Sequence, residues 1–518
     1  MVARSRQDGS WAMFPERSLV AVCLCCAECL VGSAAAPIEA SFSGKRLAIE
    51  DARISAMPFN RVWPGYQRSI DQTRMSAFVG FDVPLGGGVL SVGFGGGEIP
   101  ASARIRPFSR RQPVREGNAW CVRIEHPEQF VIEFEGGREL HVFADPPLPA
   151  VVGGKIRRFG PGEHHPGAIF PTDGETIVIE RGAKVYGNLV LTDVRNVSVV
   201  GRGILDSSEQ KRVDPDYAGV RHLKAIGCSD ALAEWGTAGV FALRCRNVKI
   251  DGVTFRDAPR WTMNFQSCDG VDIRGVKLIG MWRYNSDGID ICGCRNVRLE
   301  DSFIRSFDDC VIARPPCRDM RVTNCVLWCD WGLNIKVQHS EKAGVMENIT
   351  FDDIKSVAVD SAMAGIMTRY GSTNSVIRNV RLKDIEVDAP PDRPKNRYQV
   401  SDEQRYVYAP SSELLLLLVN AYALGRPTPN QGAPIPVDED TLRFEYDGII
   451  MEDVSVYSAP GVTVDEKAPF RVLCRIDAVA SGFNVRNVAL SGLPSCAEVV
   501  QKCRKGNISG VTVKRGKR

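Results

Sequence analysis

One short phrase recurs along this chain and limits what it can fold into. It reads Arg195-Asn196-Val197, Arg246-Asn247-Val248, Asp269-Gly270-Val271, Arg295-Asn296-Val297, Arg318-Asp319-Met320, Glu347-Asn348-Ile349 and Arg378-Asn379-Val380, with echoes at Arg486-Asn487-Val488 and Gly506-Asn507-Ile508. An apolar/polar alternation follows each copy, as in Val297-Arg298-Leu299, so the repeat carries strands. From Val248 to Val271, Val297 and Met320 the intervals are 23, 26 and 23 residues, and the next two stretch to 29 and 31. That period fits one coil of a parallel β-helix, in which each strand pairs with its equivalents above and below and like residues stack. Asn then marks a turn, the apolar residue points inward, and the longer intervals hold inserted loops. Cys245, Cys268, Cys294 and Cys317 precede four successive phrases and read as a stack of small buried apolar side chains. Without matching His partners they are not expected to hold a metal.

The fold class expected is all-β, a right-handed parallel β-helix preceded by a small β-sandwich. Short strands separated by Gly-rich turns run between residues 37 and 150 without the Asn-Val phrase, as in Val89-Leu90-Ser91-Val92 and Phe130-Val131-Ile132. They predict a separate sandwich, read as a cap over the exposed edge of the first coil. Pro147, Pro149 and Gly153-Gly154 mark the boundary, and residues 151–518 form the helix, interrupted by a Pro-rich loop at about 388–442. Residues 1–36 hold Arg17 followed by the apolar run Ser18–Ala27 and small residues to Ala36, the pattern of an export signal, which places the protein outside the cytoplasm, secreted or periplasmic. Four of the 17 cysteines fall in this segment, and among the other 13 Cys496 with Cys503, or Cys310 with Cys317, are spaced to pair. Lys and Arg total 65 against 62 Asp and Glu, with no basic block. Nucleic acid and, for the mature chain, a membrane are therefore excluded as partners, and a monomer is expected.

The chemistry sits in two strings, Asn285-Ser286-Asp287-Gly288 and Phe307-Asp308-Asp309-Cys310. Asp287 precedes the Cys294 phrase and Asp308-Asp309 precede the Cys317 phrase, so the two strings occupy equivalent places in adjacent coils, about 4.8 Å apart along the axis. Sequence neighbours diverge in an extended strand, and Asp308 and Asp309 share a cleft only if the chain bends there. Asp in a turn also caps backbone N–H groups. Three carboxylates in register, however, raise one another's proton affinity. A protonated carboxyl beside an ionised one is what glycoside hydrolysis needs.

These strings and the flanking phrases, over roughly residues 165 to 385, resemble glycoside hydrolase family 28, the polygalacturonases, and its β-helix relative family 49, the dextranase group. The resemblance implies inverting hydrolysis without a cofactor or metal, with Asp308 as general acid, Asp287 and Asp309 activating water, and Asn285 orienting the group. It implies a carboxyl separation of about 6.5–9.5 Å. Family 28 carries Gly-His-Gly one coil after the Asp pair and Arg-Ile-Lys one coil further. Here Trp331 falls at the His, and Met367-Thr368-Arg369 keeps only one cation of the second motif. A site short of cations favours a neutral glycan. The N-terminal sandwich and missing His point towards family 49, while Lys336 leaves a polygalacturonase-type substrate open. Trp331 and Tyr370 are expected to stack on sugar, as is Trp282, although core packing competes for each aromatic, and Arg283, Lys336, His339 and Arg369 are expected to donate to hydroxyls. Two further readings remain, a polysaccharide lyase and a non-catalytic carbohydrate-binding solenoid.

Overall fold

The computed structural model describes residues 37–56, 68–339, 344–359, 362–368, 374–390, 395–399, 406–410, 413–421, 443–464, 470–478 and 481–515. The export-signal reading of residues 1–36 lies outside these, as does most of the 388–442 loop. Within that loop Lys395–Gln399 and Tyr406–Pro410 pair antiparallel, and Glu413–Ala421 joins the helix as a strand.

A ladder of 29 strands runs from Lys155–Phe159 to Thr512–Arg515, with parallel pairing between each strand and its counterpart one coil on. The phrase sets this register. Val197, Val248, Val271, Val297, Met320, Ile349 and Val380 stand in one file, each paired with the next. The residue before each is left-handed: Asn196, Asn247, Asn296, Asp319, Asn348 and Asn379 all have φ between 53° and 57°, and Gly270 takes the same position at 75°. Asn and Asp tolerate this conformation, and the side chains gain by it. Asn247 Nδ2 donates to Asn196 Oδ1 at 3.0 Å, Asn296 to Asp269 at 2.7 Å, Asn348 to Asp319 at 2.9 Å and Asn379 to Asn348 at 3.2 Å. Inward residues form one continuous core from Ile169 to Ala497. Cys245, Cys268, Cys294 and Cys317 lie in that core, as expected. Of the cysteines spaced to pair, Cys310 and Cys317 are buried as thiols in the core and Cys503 is an exposed thiol.

Two five-stranded sheets make up the sandwich, one through Ile38–Phe42 and Gly88–Phe94, the other through Thr73–Asp82 and Glu139–Asp145. It does not cap the first coil. It lies along the flank of the helix, where Ala52, Ile54, Phe78, Val131 and Phe143 pack on Ile204, Ile279, Phe303, Val326, Trp328 and Val357, residues from successive coils. The outward side chains on that flank are apolar and would otherwise face water, and their burial drives the docking. Ion pairs fix its position: Arg106 Nε with Asp388 at 2.7 Å, Lys184 with Glu50 at 2.7 Å, and Lys277 with Asp145. At the centre, buried Arg305 reaches Glu139 at 2.8 Å and His141 Nε2 at 3.1 Å. Burial, with Arg305 second, pushes the imidazole down to about 3. His141 is therefore neutral, accepting from Arg305 through Nε2 and donating from Nδ1 to the Ala77 carbonyl.

One element has no counterpart in the sequence reading. Between Ile204–Asp206 and Val240–Leu243 the chain leaves the helix and forms a small helical insertion, Ala218–Ala225, Asp230–Ala233 and Glu234–Thr237. The 51 residues between Val197 and Val248 are its trace in the sequence.

Candidate active site

Strands Met263–Gln266, Ile289–Cys292, Val311–Arg314 and Leu333–His339 stack in parallel register, and the candidate aspartates sit at the bends entering the second and third of them. Thr262 N–H donates to the Asp287 carbonyl at 2.8 Å, and Gly288 N–H donates to the Asp309 carbonyl at 2.8 Å, tying the three bends together. The Asp308-Asp309 bend is built from below. Ser306 Oγ and Cys329 Sγ both donate to the Asp308 carbonyl, at 2.6 and 3.2 Å, and Asp309 N–H donates to Asp308 Oδ1 at 3.0 Å. This bend turns both neighbours to one side. Gly332 completes it, because a Cβ there would lie 2.7 Å from an oxygen of each of Asp308 and Asp309.

Asp287, Asp308 and Asp309 thus each offer an oxygen within 4.8 Å of the others. These are nearest-oxygen distances, and they are not the carboxyl separation of about 6.5–9.5 Å that the resemblance implies for an inverting pair. A gap of this size matches one water hydrogen-bonded to two carboxylates at about 2.8 Å each. Asp287 and Asp309 are buried, and Asp308 is the partly exposed member. Burial, then the charges of Asp308, Asp290 and Asp309, hold the Asp287 carboxyl well above the usual range, with Arg314 acting the other way. Asn285 Nδ2 donates to Asp287 Oδ1 at 2.9 Å. Lys336 donates to Asp309 Oδ2 at 2.7 Å and Leu333 N–H to its Oδ1 at 2.8 Å.

Two functional candidates escaped the sequence reading. Asp290, fully buried, is a fourth carboxylate on the outward side of strand Ile289–Cys292. Arg314 Nε donates to its Oδ1 at 3.0 Å, while Oδ2 has no hydrogen-bond partner. Burial raises it to about 7 in spite of Arg314. Its alternation with Ile289 and Ile291 in Gly288-Ile289-Asp290-Ile291 was the available signal. The other is Arg212, from the insertion, which donates to the Tyr284 carbonyl at 2.6 Å and to Asn285 Oδ1 at 3.2 Å. Arg212 thereby orients the amide that donates to Asp287. Nothing local in the sequence links Arg212 to a site 75 residues on.

The remaining candidates divide. Asn285 and Lys336 meet the carboxylates directly. Arg283 does not: it donates to Asp257 at 2.8 Å and to the carbonyls of Gln210 and Ser208 at 2.8 and 2.9 Å, so it anchors the insertion rather than a sugar hydroxyl. Trp331 is buried, 5% exposed, and stacked on Phe307 with centroids 5.9 Å apart, so it supports the Asp308 bend from behind instead of presenting a platform. Trp282 is half-buried, beside the Arg283 guanidinium, and its carbonyl accepts from Arg68 of the sandwich. The His339 side chain and residues Arg369 and Tyr370 lie outside the described residues.

Residues 186–390, which hold the carboxylates, Lys336, Arg314 and the helical insertion, match the model of glycosyl hydrolases family 28. That segment is similar to the family. It is 21% identical over 203 residues to polygalacturonase-2 of Solanum lycopersicum, covering 38% of this chain and 43% of that one. With a probable endopolygalacturonase D of Neosartorya fischeri it shares 24% over 209 residues, 40% of this chain and 36% of the relative. The chain thus spans less than half the length of these curated relatives. Among solved structures, Dex49A from Penicillium minioluteum superposes over 92% of this chain and 88% of its own at a TM-score of 0.50 and 15% identity, a likeness of fold. The family 28 match and the fold shared with Dex49A agree with the resemblance drawn from the two aspartate strings.

Proposed function

We propose that this protein is an exported glycoside hydrolase that cleaves a polysaccharide or oligosaccharide by carboxylate acid/base chemistry, acting as a monomer. The observation that carries the reading is the convergence of Asp287, Asp308 and Asp309 from adjacent coils. Asp308, the solvent-facing member, protonates the glycosidic oxygen. Asp287 and Asp309 hold the attacking water between them and accept its proton, and direct attack by that water inverts the anomeric carbon. A neutral glycan is favoured because the described cations nearest the cluster are engaged inside the protein, Lys336 with Asp309, Arg314 with Asp290 and Arg212 with the Tyr284 carbonyl and Asn285.

One observation favours a second assignment of roles. The raised Asp287 carboxyl is the natural resting place for a proton, which would make it the acid. An aryl glycoside with a good leaving group separates the two: it needs no acid, so it restores turnover only to the variant lacking the acid. Asp308→Asn and Asp287→Asn are to be compared on it.

The test of the function is reducing-end release by purified protein with EDTA present, on dextran, arabinan and polygalacturonate. Turnover of a neutral glycan that falls at least about a hundredfold in Asp308→Asn is expected. Turnover of polygalacturonate alone would overturn the neutral-substrate reading, and an intact rate in Asp308→Asn would remove Asp308 from the chemistry. Proton NMR of the first-formed anomer tests inversion.

A further inference from the structure

We propose that the glycan enters this site by a chain end, so that the enzyme removes short units in exo fashion. This rests on the hydrolase reading. The outward residues of the site strands stand in one file along the helix axis: Val190, Phe241, Asn264, Asp290, Ile312 and Lys336, each paired with the next. Equivalent surface positions repeat along this file at about 4.8 Å per coil, close to the length of one sugar unit, so a glycan lying across several coils follows it.

The file changes character two coils before Asp290. Asn264, Asp290 and Lys336 are its polar members, with apolar Ile312 between the last two; Asn264, Asp290 and Ile312 are themselves fully buried, so the accessible edge of the site is made by partly exposed side chains such as Lys336 and Asp308. Phe241 and Val190 are apolar and fully buried beneath Val220, Leu223, Ala233 and Ala238 of the helical insertion. The cover is firmly held. Tyr217 Oη donates to Asn188 Oδ1 at 2.7 Å, and Asn188 Nδ2 donates to the carbonyls of Gly236 and Ala238 at 2.8 and 2.7 Å. Its edge forms a wall at the Asn264 coil, where Trp235 packs on Trp261 with centroids 4.2 Å apart. Arg260 and Arg314 lie against the outer faces of that pair, 4.8 and 4.4 Å from the ring centroids.

The wall stands at the Asn264 coil, one coil of about 4.8 Å from Asp290, which leaves room for about one sugar unit on that side of the carboxylates. A polymer threading through in both directions would have to displace an apolar core. A terminus fits without doing so. The consequence is a defined product length.

The experiment follows dextran, arabinan and polygalacturonate digests of the full chain simultaneously by viscometry and by reducing-end release, with products resolved by chromatography. The expected result is a mono- or disaccharide as the first product while viscosity holds near its starting value. A steep early fall in viscosity with mixed oligomers would keep the hydrolase reading and overturn this one. No release from any of the three would overturn both. Trp235→Ala trims the wall and leaves the apolar roof in place, so folding is preserved, and it is expected to shift the first product to a longer oligomer. An unchanged product would refute the wall as the limit.

Discussion

Asp290→Asn should make the protein more stable, and only above acid pH. The wild-type carboxyl is fully buried with one oxygen unpartnered, and it titrates at about 7 in the folded protein. In the unfolded chain an Asp titrates at about 3.9. The folded state therefore binds this proton more tightly, so the group favours folding fully below about pH 4, and that contribution is lost as pH rises through 7. Between pH 5 and pH 9 the loss amounts to about two pH units of linkage at roughly 1.4 kcal/mol each, on the order of 3 kcal/mol, most of it complete by pH 7. An amide at the same place has no proton to lose, and its oxygen still accepts from Arg314. Urea unfolding of both proteins at pH 5, 7 and 9 reads the difference. The variant should gain about 3 kcal/mol over wild type across that range. Parallel profiles would mean that Asp290 stays ionised or is hydrated in the folded protein, and the account of the fourth carboxylate would fail.

Arg314→Met removes the cation that lowers Asp287, so the limb of the kcat/KM profile governed by Asp287 should move to higher pH, while Asp290→Asn, by removing a negative neighbour, moves the same limb to lower pH. Shifts of the same sign would refute the coupling. Arg212→Met frees the Asn285 amide and should lower kcat on the order of tenfold or more with little change in circular dichroism, and Arg212→Lys, which loses the planar fork, should recover only part of it. Arg106→Met leaves Asp388 buried without its partner and should cost about 3–5 kcal/mol in thermal unfolding, since Phe108 N–H alone then serves that carboxylate.

The helix was legible because its register is written in residues with a conformational reason: Asn and Asp accept the left-handed bend, and the apolar residue after each points inward. The three aspartates were legible for the same cause, since stacked coils convert a sequence interval into a distance. What depended on side-chain direction was not. Trp331 occupies the predicted register yet packs on Phe307, because the bend that brings Asp308 and Asp309 together turns the next coil's corner inward as well. Arg283 looked like a hydroxyl donor because its partners, Asp257 and the carbonyls of Ser208 and Gln210, belong to segments far away in sequence. The sandwich could be located between residues 37 and 150 but not placed, since its docking face meets apolar residues from coils scattered between Ile204 and Val357. A cap and a flank piece have the same local pattern.

The left-handed corner residues, four of them hydrogen-bonded through their side-chain amides to the coil below, have a consequence for how such a protein changes over time. This vertex holds one turn in register with the next, so other parts of the coil can lengthen. The helical insertion and the 29- and 31-residue intervals enter elsewhere in the coil and leave the file of Val, Met and Ile undisturbed. New walls, lids or contact surfaces can therefore be acquired by a lineage in one event, without re-threading the scaffold beneath the carboxylates.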